Sequence, residues 1–276
     1  MAGRPGGWVV VVGGDGSVHE VLNGLLPSPT RRRLGVVPAG TGNDIAGNLG
    51  IDHNPQEAAA RIDPARGKRV DVGRAWFPTP DGGERVRFFL NSISTGVSAR
   101  ANRLAARMRR AIPGAVRYPL SGLAALFLEG PGRYQVRGEE EGGGRVLHSG
   151  PALNITLANG PCFGGGLRIS PHSDPSDGAL DLVVIGRLGR FRALGALARL
   201  RQGTHVGMRG VAVTRVRGPV EIRREGQEPS GGGDHRASGL MRLEADGENF
   251  EALGEIRVEL LAGGLEVLGG PGGGAG

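Results

Sequence analysis

The stretch WVVVVGGDGSVHEVLNGL, Trp8 to Leu25, decides the fold. Trp8 to Val12 is an unbroken, mostly β-branched apolar run, which predicts a strand buried on both faces, and Gly13-Gly14-Asp15-Gly16 ends it in a turn. Ser17 and Glu20 have the S-x-x-E spacing of a capping box. Val18, Val21, Leu22 and Leu25 then recur at helical spacing until Pro27 to Pro29 stop the helix. The unit repeats: Leu34 to Val37 is a second strand, Pro38-Ala39-Gly40-Thr41-Gly42 closes it, and Asn43 or Asp44 caps the next helix. This order predicts an α/β domain with a parallel sheet. Both glycine loops then sit at the carboxyl edge of that sheet, where open α/β folds bind ligands.

From Arg69 the pattern changes. Strands are predicted at Val86 to Ile93, Tyr134 to Val136, Ala152 to Ala158, Leu180 to Ile185, Val211 to Val216, Val220 to Ile222, Met241 to Ala245 and Ile256 to Leu261, joined by glycine-rich turns. They make a mostly β, sandwich-like second domain with helices at Ser98 to Ala111, Pro119 to Leu128 and Arg190 to Leu200. The domain expectation is a partial nucleotide-binding α/β domain over 1–70, a β-sandwich domain over 71–268 and an unstructured tail over 269–276; 226–239 also reads as low-complexity sequence. Only two clear strands precede the β domain, and two strands are marginal as an independent sheet, so the first domain reads as truncated.

Composition bounds the rest. Of 276 residues 53 are Gly and 18 Pro, near the level at which disorder becomes an option. The glycines punctuate apolar runs, however, so the chain folds; with 4% aromatics its core is aliphatic. The net charge is +7, and every basic residue but Lys68 is Arg, so the charge persists at any cellular pH. It suits nucleotide phosphates, an acidic membrane surface or nucleic acid, or is simply spread over the surface. Cys162 is the single cysteine, which excludes an intrachain disulfide and fits a reducing cytoplasm. No apolar run is long enough to span a bilayer, and no signal-peptide pattern opens the chain.

Several groups carry chemistry. Gly13 to Ser17 lies at a helix N-terminus, where free N–H groups and the helix dipole favour an anion such as phosphate. It lacks the Lys of a Walker loop and the third glycine of a dinucleotide fingerprint. Asp15 would repel a phosphate unless a metal ion bridges them, or else it is an ordinary turn residue. Thr41 offers a hydroxyl, and Asp44 a cap or a second carboxylate. Gly164 to Gly166 imply close backbone approach to a ligand or strand. The Asp174 to Asp181 turn either holds a hard cation such as Mg²⁺ or is a solvated acidic turn. Asp246-Gly247-Glu248 has the form of a hairpin tip. Arg100, Arg103, Arg107 and Arg110 share one helix face, placed either against anionic head groups or in solvent, while Leu104, Met108 and Ile112 occupy another.

Taken in order, Gly13 to Ser17 with Glu20, Pro38 to Asp44, Asn159-Gly160 with Gly164 to Gly166, Pro171 with Asp177-Gly178 and Leu180-Asp181, Gly203-Thr204-His205, and Asp246 to Glu248 resemble the diacylglycerol kinase and sphingosine kinase superfamily. The resemblance implies a bacterial-type lipid kinase that uses ATP and Mg²⁺. By it, Gly14, Asp15, Gly16, Ser17, Val18, His19, Glu20 and Thr41 line the ATP phosphates, and Asp15 acts through Mg²⁺ and water. Glu248 takes the proton of the lipid hydroxyl, and Asp174, Asp177 and the Ala179 carbonyl hold a second Mg²⁺. Ser17 stands where the family usually has Thr, and His19 where Asn is usual. Relatives carry a segment before the first loop, whereas Met1 to Gly7 alone precede Trp8 here; the expectation is a misassigned start or a truncated copy that binds ATP poorly. The implied reaction is diacylglycerol to phosphatidic acid. A sphingoid base or other long-chain alcohol, NAD as the acceptor, and a non-catalytic remnant are the alternatives. The implied setting is cytoplasmic, peripheral to the inner face of the membrane with transient surface contact, with no nucleic-acid partner and with homo-oligomers allowed.

Overall fold

The computed structural model describes residues 7–27, 33–108, 112, 114–140, 143–225 and 239–269. Most of 226–239, Arg110 and nearly all of the 269–276 tail lie outside these.

The opening unit is strand β1 (Trp8–Gly13), helix α1 (Asp15–Leu25), strand β2 (Arg33–Pro38) and helix α2 (Asp44–Asn48). β1 and β2 run parallel from Trp8↔Arg33 to Gly13↔Pro38, so the two glycine loops leave the sheet side by side. Two details correct the sequence reading. β1 is buried on one face: Val11 is in the core, while Trp8, Val10 and Val12 are exposed at 50%, 36% and 68%. The alternation follows from a strand that α1 covers on one side only. The capping box does not form, because α1 begins two residues before Ser17, on an extended Gly14 with no side-chain cap.

The sheet is completed from the far end of the chain. After the short helix α3 (Pro55–Ala60) comes strand β3 (Gly67–Pro78), which the sequence reading missed. It pairs antiparallel with the final strand β13 (Glu255–Leu268). β13 also pairs parallel with β2 through Glu266–Leu268. A bulge between Leu261 and Leu265 divides β13: Leu265 and Val267 join a core with Val11, Leu22, Leu34, Ile45 and Val72, whereas Ile256 and Val258 belong to a second core. One strand thus runs through both parts of the molecule.

The second part contains strands β4 (Glu84–Phe89) and β5 (Ser92–Gly96), helices α4 (Val97–Arg107) and α5 (Gly114–Leu128), and strands β6 (Gly132–Glu140), β7 (Gly143–Ala158) and β8 (Leu180–Gly186). Helix α6 (Arg190–Leu200), one 3₁₀ turn and strands β9 (Val211–Val216), β10 (Val220–Arg224), β11 (Leu240–Ala245) and β12 (Glu248–Leu253) follow, before β13. The main path of the sheet is β1-β2-β13-β10-β6-β7-β5-β11-β12. The expected core is here: Ile93, Ile155, Leu157, Leu182, Leu243 and Val258, largely aliphatic, with Phe77 and Phe89.

The strand predicted over Val86 to Ile93 is broken in two at Leu90–Asn91. Their N–H groups both donate to the Asp246 carboxylate, at 2.8 Å each, instead of to a neighbouring strand. Helix α4 buries Ala99, Asn102 and Ala105, since small residues let it lie close on the sheet. Arg103 is therefore half-buried rather than on a solvent face, donating to the Phe250 carbonyl at 2.7 Å beside Glu251.

Candidate active site

The two glycine loops touch. The Ala39 N–H donates to the Gly13 carbonyl at 2.9 Å, and a Cβ on Gly14 would come within 3.0 Å of Gly40 Cα. Backbone at this separation leaves no room for side chains, which is the physical requirement for glycine at both positions. Asn43, in a left-handed conformation at φ 57°, locks the second loop by accepting from Gly40 N and donating to Gly40 O.

Opposite the loops is the β11–β12 hairpin, whose two-residue turn is Asp246-Gly247 with φ 49° and 87°. An Asp-Gly pair with both φ values positive makes the hairpin turn that matches strand twist. It presents Glu248 towards the first loop: Glu248 Oε1 is 3.2 Å from where a Cβ on Gly16 would stand. Asp15 reaches the second loop, its Oδ1 accepting the Ile45 N–H at 2.8 Å. The Asp44 carboxylate takes the N–H groups of Gly165 and Gly166 at 2.7 and 2.8 Å, so the glycine triplet approaches a carboxylate.

A cavity of about 230 Å³ lies between loops and hairpin, lined by Gly14, Asp15, Gly16, residues 40–42, Asp44, Tyr118 and residues 246–248. Among the described residues it has four carboxylates and no basic side chain. Burial raises the carboxyl pKa values of Asp15 and Asp44, and for Asp15 the neighbouring Asp44 and Asp246 raise it further. Such a set is relieved by a proton or a cation.

A second cavity adjoins it, of about 110 Å³. Its sides are largely apolar, drawn from α4 (Val97, Ala101), α5 (Leu126) and α6 (Ala196, Leu197, Leu200). Asp15, Asp44, Tyr118, Asp246 and Gly247 line both cavities.

Of the residues expected at the phosphates, Gly14, Asp15, Gly16 and Thr41 line the polar cavity with Glu248. Ser17 and Glu20 are on the exposed side of α1 and Val18 is in the core. His19 is buried, its Nδ1 3.4 Å from Asp246 Oδ2 and its ring against Phe250. In the turn expected to hold a second Mg²⁺, Asp174 Oδ1 accepts from the Ser176 amide and hydroxyl. Asp177 accepts from Ala179 N and forms an ion pair with Arg215. Those carboxylates are engaged by the protein itself, and no three His, Cys, Asp or Glu side chains gather as a metal site among the described residues. Tyr118 and Glu244 were not singled out from sequence; the signal for Glu244 was a charged residue between the inward Leu243 and Ala245.

Comparison with known proteins places this arrangement. The family model described as the YegS C-terminal NAD kinase beta sandwich-like domain matches residues 91–269, and the diacylglycerol kinase catalytic domain matches residues 2–75. A probable lipid kinase YegS-like of Chromohalobacter salexigens is 33% identical over 67% of this chain and 56% of its own length. A diacylglycerol kinase of Mycobacterium tuberculosis is 34% identical over 76% of this chain and 64% of its own. The chain therefore spans less than two thirds of either relative. Among solved structures, a putative diacylglycerol kinase of Bacillus anthracis superposes with a TM-score of 0.69 at 22% identity, over 96% of this chain and 78% of that one. A yeast NADH kinase superposes with a TM-score of 0.52 at 12% identity, over 96% and 62%. The two structural likenesses bear on the fold: an α/β part joined to a β-rich part, as here. With a YegS-type model covering most of its length and a diacylglycerol kinase model the remainder of its α/β part, the chain belongs to the diacylglycerol kinase and YegS-like lipid kinase family.

Proposed function

We propose that the chain is the catalytic region of a kinase that transfers the γ-phosphoryl group of ATP to the hydroxyl of a membrane lipid, with diacylglycerol as the acceptor. The observation that carries this is the shared wall of Asp15, Asp44, Tyr118, Asp246 and Gly247, where a polar loop-lined cavity meets an apolar one. A lipid with its chains in the apolar cavity has its hydroxyl at that wall, next to a phosphate donor held by the loops.

The first N–H groups of α1, at Asp15, Gly16 and Ser17, have no partner within the helix and suit phosphate oxygens. The Glu248 carboxylate accepts the proton of the acceptor hydroxyl. The oxygen then bonds to the γ-phosphorus as the bond to ADP breaks, and Glu248 passes its proton to water. With Asp44 and Asp246 committed to backbone N–H groups, Asp15 is the carboxylate of this cavity that suits a hard cation accompanying the polyphosphate. Asp15 would hold Mg²⁺, which when bound offsets the charge of the phosphoryl group.

The test is incubation with Mg²⁺ and labelled ATP against diacylglycerol vesicles, a sphingoid base and NAD. Label should enter phosphatidic acid and should disappear in Asp15→Ala and Glu248→Ala. Transfer only to NAD or to the sphingoid base overturns the acceptor assignment, and transfer to none overturns the kinase assignment.

The lipid is reached from a cytoplasmic position at the inner membrane face, in this proposal, by the α5–α6 surface. No helix among the described residues is long and apolar enough to cross a membrane. Val116, Leu120, Leu123 and Phe127 form an exposed stripe on α5, while Gly122 and Leu126 of the same helix line the apolar cavity. Beside it Phe191 is 90% exposed, and Arg190 lies over the Phe127 ring. Residues 97–128 and 187–201 contain eleven arginines and no acidic residue. An apolar stripe with Arg190 at its Phe127, in stretches of sequence rich in arginine, is complementary to an anionic bilayer surface. Phe127→Ser with Phe191→Ser should weaken binding to phosphatidylglycerol vesicles by roughly tenfold or more, the scale of one buried Phe side chain. Undiminished flotation with these vesicles counts against this surface.

A further inference from the structure

We infer that Asn48 is a positioning residue of the phosphoryl transfer, whose carboxamide holds the wall of the apolar cavity, the phosphate loops and the Glu248 hairpin in one arrangement. The inference rests on the lipid-kinase assignment above and deepens it by naming what keeps donor and acceptor in line.

Asn48 ends α2, the helix that follows the Gly40-Thr41-Gly42 loop. It lines neither cavity, so it acts on the reaction only through its neighbours. Its Nδ2 donates to the Cys162 carbonyl at 2.7 Å and to Asn91 Oδ1 at 2.8 Å, and its Oδ1 accepts the Cys162 N–H at 3.3 Å. Both N–H donors and one acceptor site of the carboxamide are thereby used.

The partners belong to different parts of the site. Cys162 precedes Phe163, Gly164 and Leu167, which line the apolar cavity. The same turn is held a second time from α2, because Asp44, one helical turn before Asn48, takes the Gly165 and Gly166 N–H groups. A short helix behind the second phosphate loop thus grips the lipid wall at two points. Asn91 leads to the acceptor side. Its N–H donates to Asp246 Oδ1 at 2.8 Å, in the turn that precedes Glu248, and its carbonyl accepts the N–H groups of Asn159 and Gly160 at 2.7 and 3.0 Å.

Space is reserved for this contact. A Cβ on Gly160 would stand 2.6 Å from Asn48 Nδ2, and the Gly160 backbone is not in the left-handed region. The close approach of Asn48, rather than backbone conformation, therefore requires glycine there. Without the carboxamide the wall can shift against the loops while each cavity keeps its own lining, and a misplacement of about 1 Å costs up to about 10²-fold in rate.

The experiment measures phosphorylation of diacylglycerol vesicles by the wild type, Asn48→Ala, Asn48→Asp, Gly160→Ala and the double variant Asn48→Ala with Gly160→Ala. Asn48→Ala should lower kcat by about 10–100-fold and leave KM for ATP and for the lipid within about threefold. Asn48→Asp has the same shape but lacks both donors, and should fall as far. Gly160→Ala pushes the carboxamide away and should lose kcat likewise. Added to Asn48→Ala it should cost less than about twofold more, because the two substitutions act through one contact. Asn54→Ala is the control: Asn54 caps α3 by accepting from Gln56 N and Glu57 N, so its loss lowers stability, yet kcat should stay within about twofold. Wild-type kcat in Asn48→Asp, fully additive losses for Asn48 and Gly160, or an equal loss of kcat in Asn54→Ala each overturn the inference.

A second readout is independent of turnover. Cys162 is the single thiol of the chain and is half-buried, so its reaction with a thiol reagent reports loosening of the turn. Labelling should be about tenfold faster in Asn48→Ala than in the wild type, the scale of one lost hydrogen bond, and unchanged in Asn54→Ala. An unchanged rate in Asn48→Ala overturns the positioning role. If the wild type phosphorylates no lipid, the kinase assignment fails, while the labelling still decides whether Asn48 holds the wall.

Discussion

Glu248→Gln is expected to lower turnover by about 10²–10⁴-fold, the usual worth of a positioned general base. Gln has the shape of Glu and can still accept a hydrogen bond from the lipid hydroxyl, but it cannot take the proton. The substitution therefore separates proton transfer from binding: KM for ATP and for the lipid should each stay within about threefold. The protein should tolerate it, because Glu248 is exposed at the start of β12, and substitutions at such positions usually move stability by less than about 0.5 kcal/mol. Steady-state phosphorylation of diacylglycerol vesicles, with urea unfolding as the control, measures both. A loss below tenfold would mean that another group removes the proton. Among the described residues the only other carboxylates on that cavity are Asp15, Asp44 and Asp246. Asp44 and Asp246 are committed to backbone N–H groups through both oxygens, which leaves Asp15 as the substitute. Glu248→Gln combined with Asp15→Asn would then fall well below either single variant.

Local order along the chain was legible where it depended on nearest neighbours. A β-branched run ending in glycine at Gly13, and a second at Pro38, gave the parallel pair and put two loops at one edge. From those loops Gly14, Asp15, Gly16 and Thr41 were found, and from the family resemblance Glu248, and all five line one cavity. What escaped was set at long range. β13 completes the amino-terminal sheet across more than 200 residues of sequence, and nothing local to Glu266–Leu268 announces a parallel partner at 33–35. The break between β4 and β5 depends on a carboxylate 155 positions away. The assignment of Val18 and His19 to the phosphates failed to reckon with the helix: starting at Asp15, its 3.6-residue period turns 18, 19, 22 and 25 towards the interior. Arg103 misled for a related reason, because Ala99, Asn102 and Ala105 rather than Leu104 and Met108 define the inner face of α4.

Asp246→Ala is expected to cost about 3–5 kcal/mol of stability, as when one partner of a buried charged network is removed. Its Oδ1 accepts from Asn91 N at 2.8 Å and Ser92 N at 3.3 Å, and its Oδ2 from Leu90 N at 2.8 Å, with His19 Nδ1 at 3.4 Å. Leu90, Asn91 and Ser92 are each no more than 3% exposed, so water cannot replace the lost acceptor, and three orphaned N–H groups each carry a desolvation penalty of about 1–3 kcal/mol that relaxation only partly relieves. Alanine also fits poorly at φ 49°. Asp246→Asn keeps the left-handed conformation accessible and leaves one oxygen, so it should cost roughly half as much. Urea midpoints with an unchanged m-value would show the loss to be in the native state. A cost below about 1 kcal/mol for Ala would mean that the β4–β5 break is held by packing alone. The same substitution should raise the lipid KM beyond what the lost stability explains, because Asp246 lines both cavities and fixes the hairpin that carries Glu248. Three consecutive residues thus divide the work: Asp246 anchors the turn to β4 and β5, Gly247 lets the chain reverse, and Glu248 stands at the rim, where the proposed proton transfer takes place.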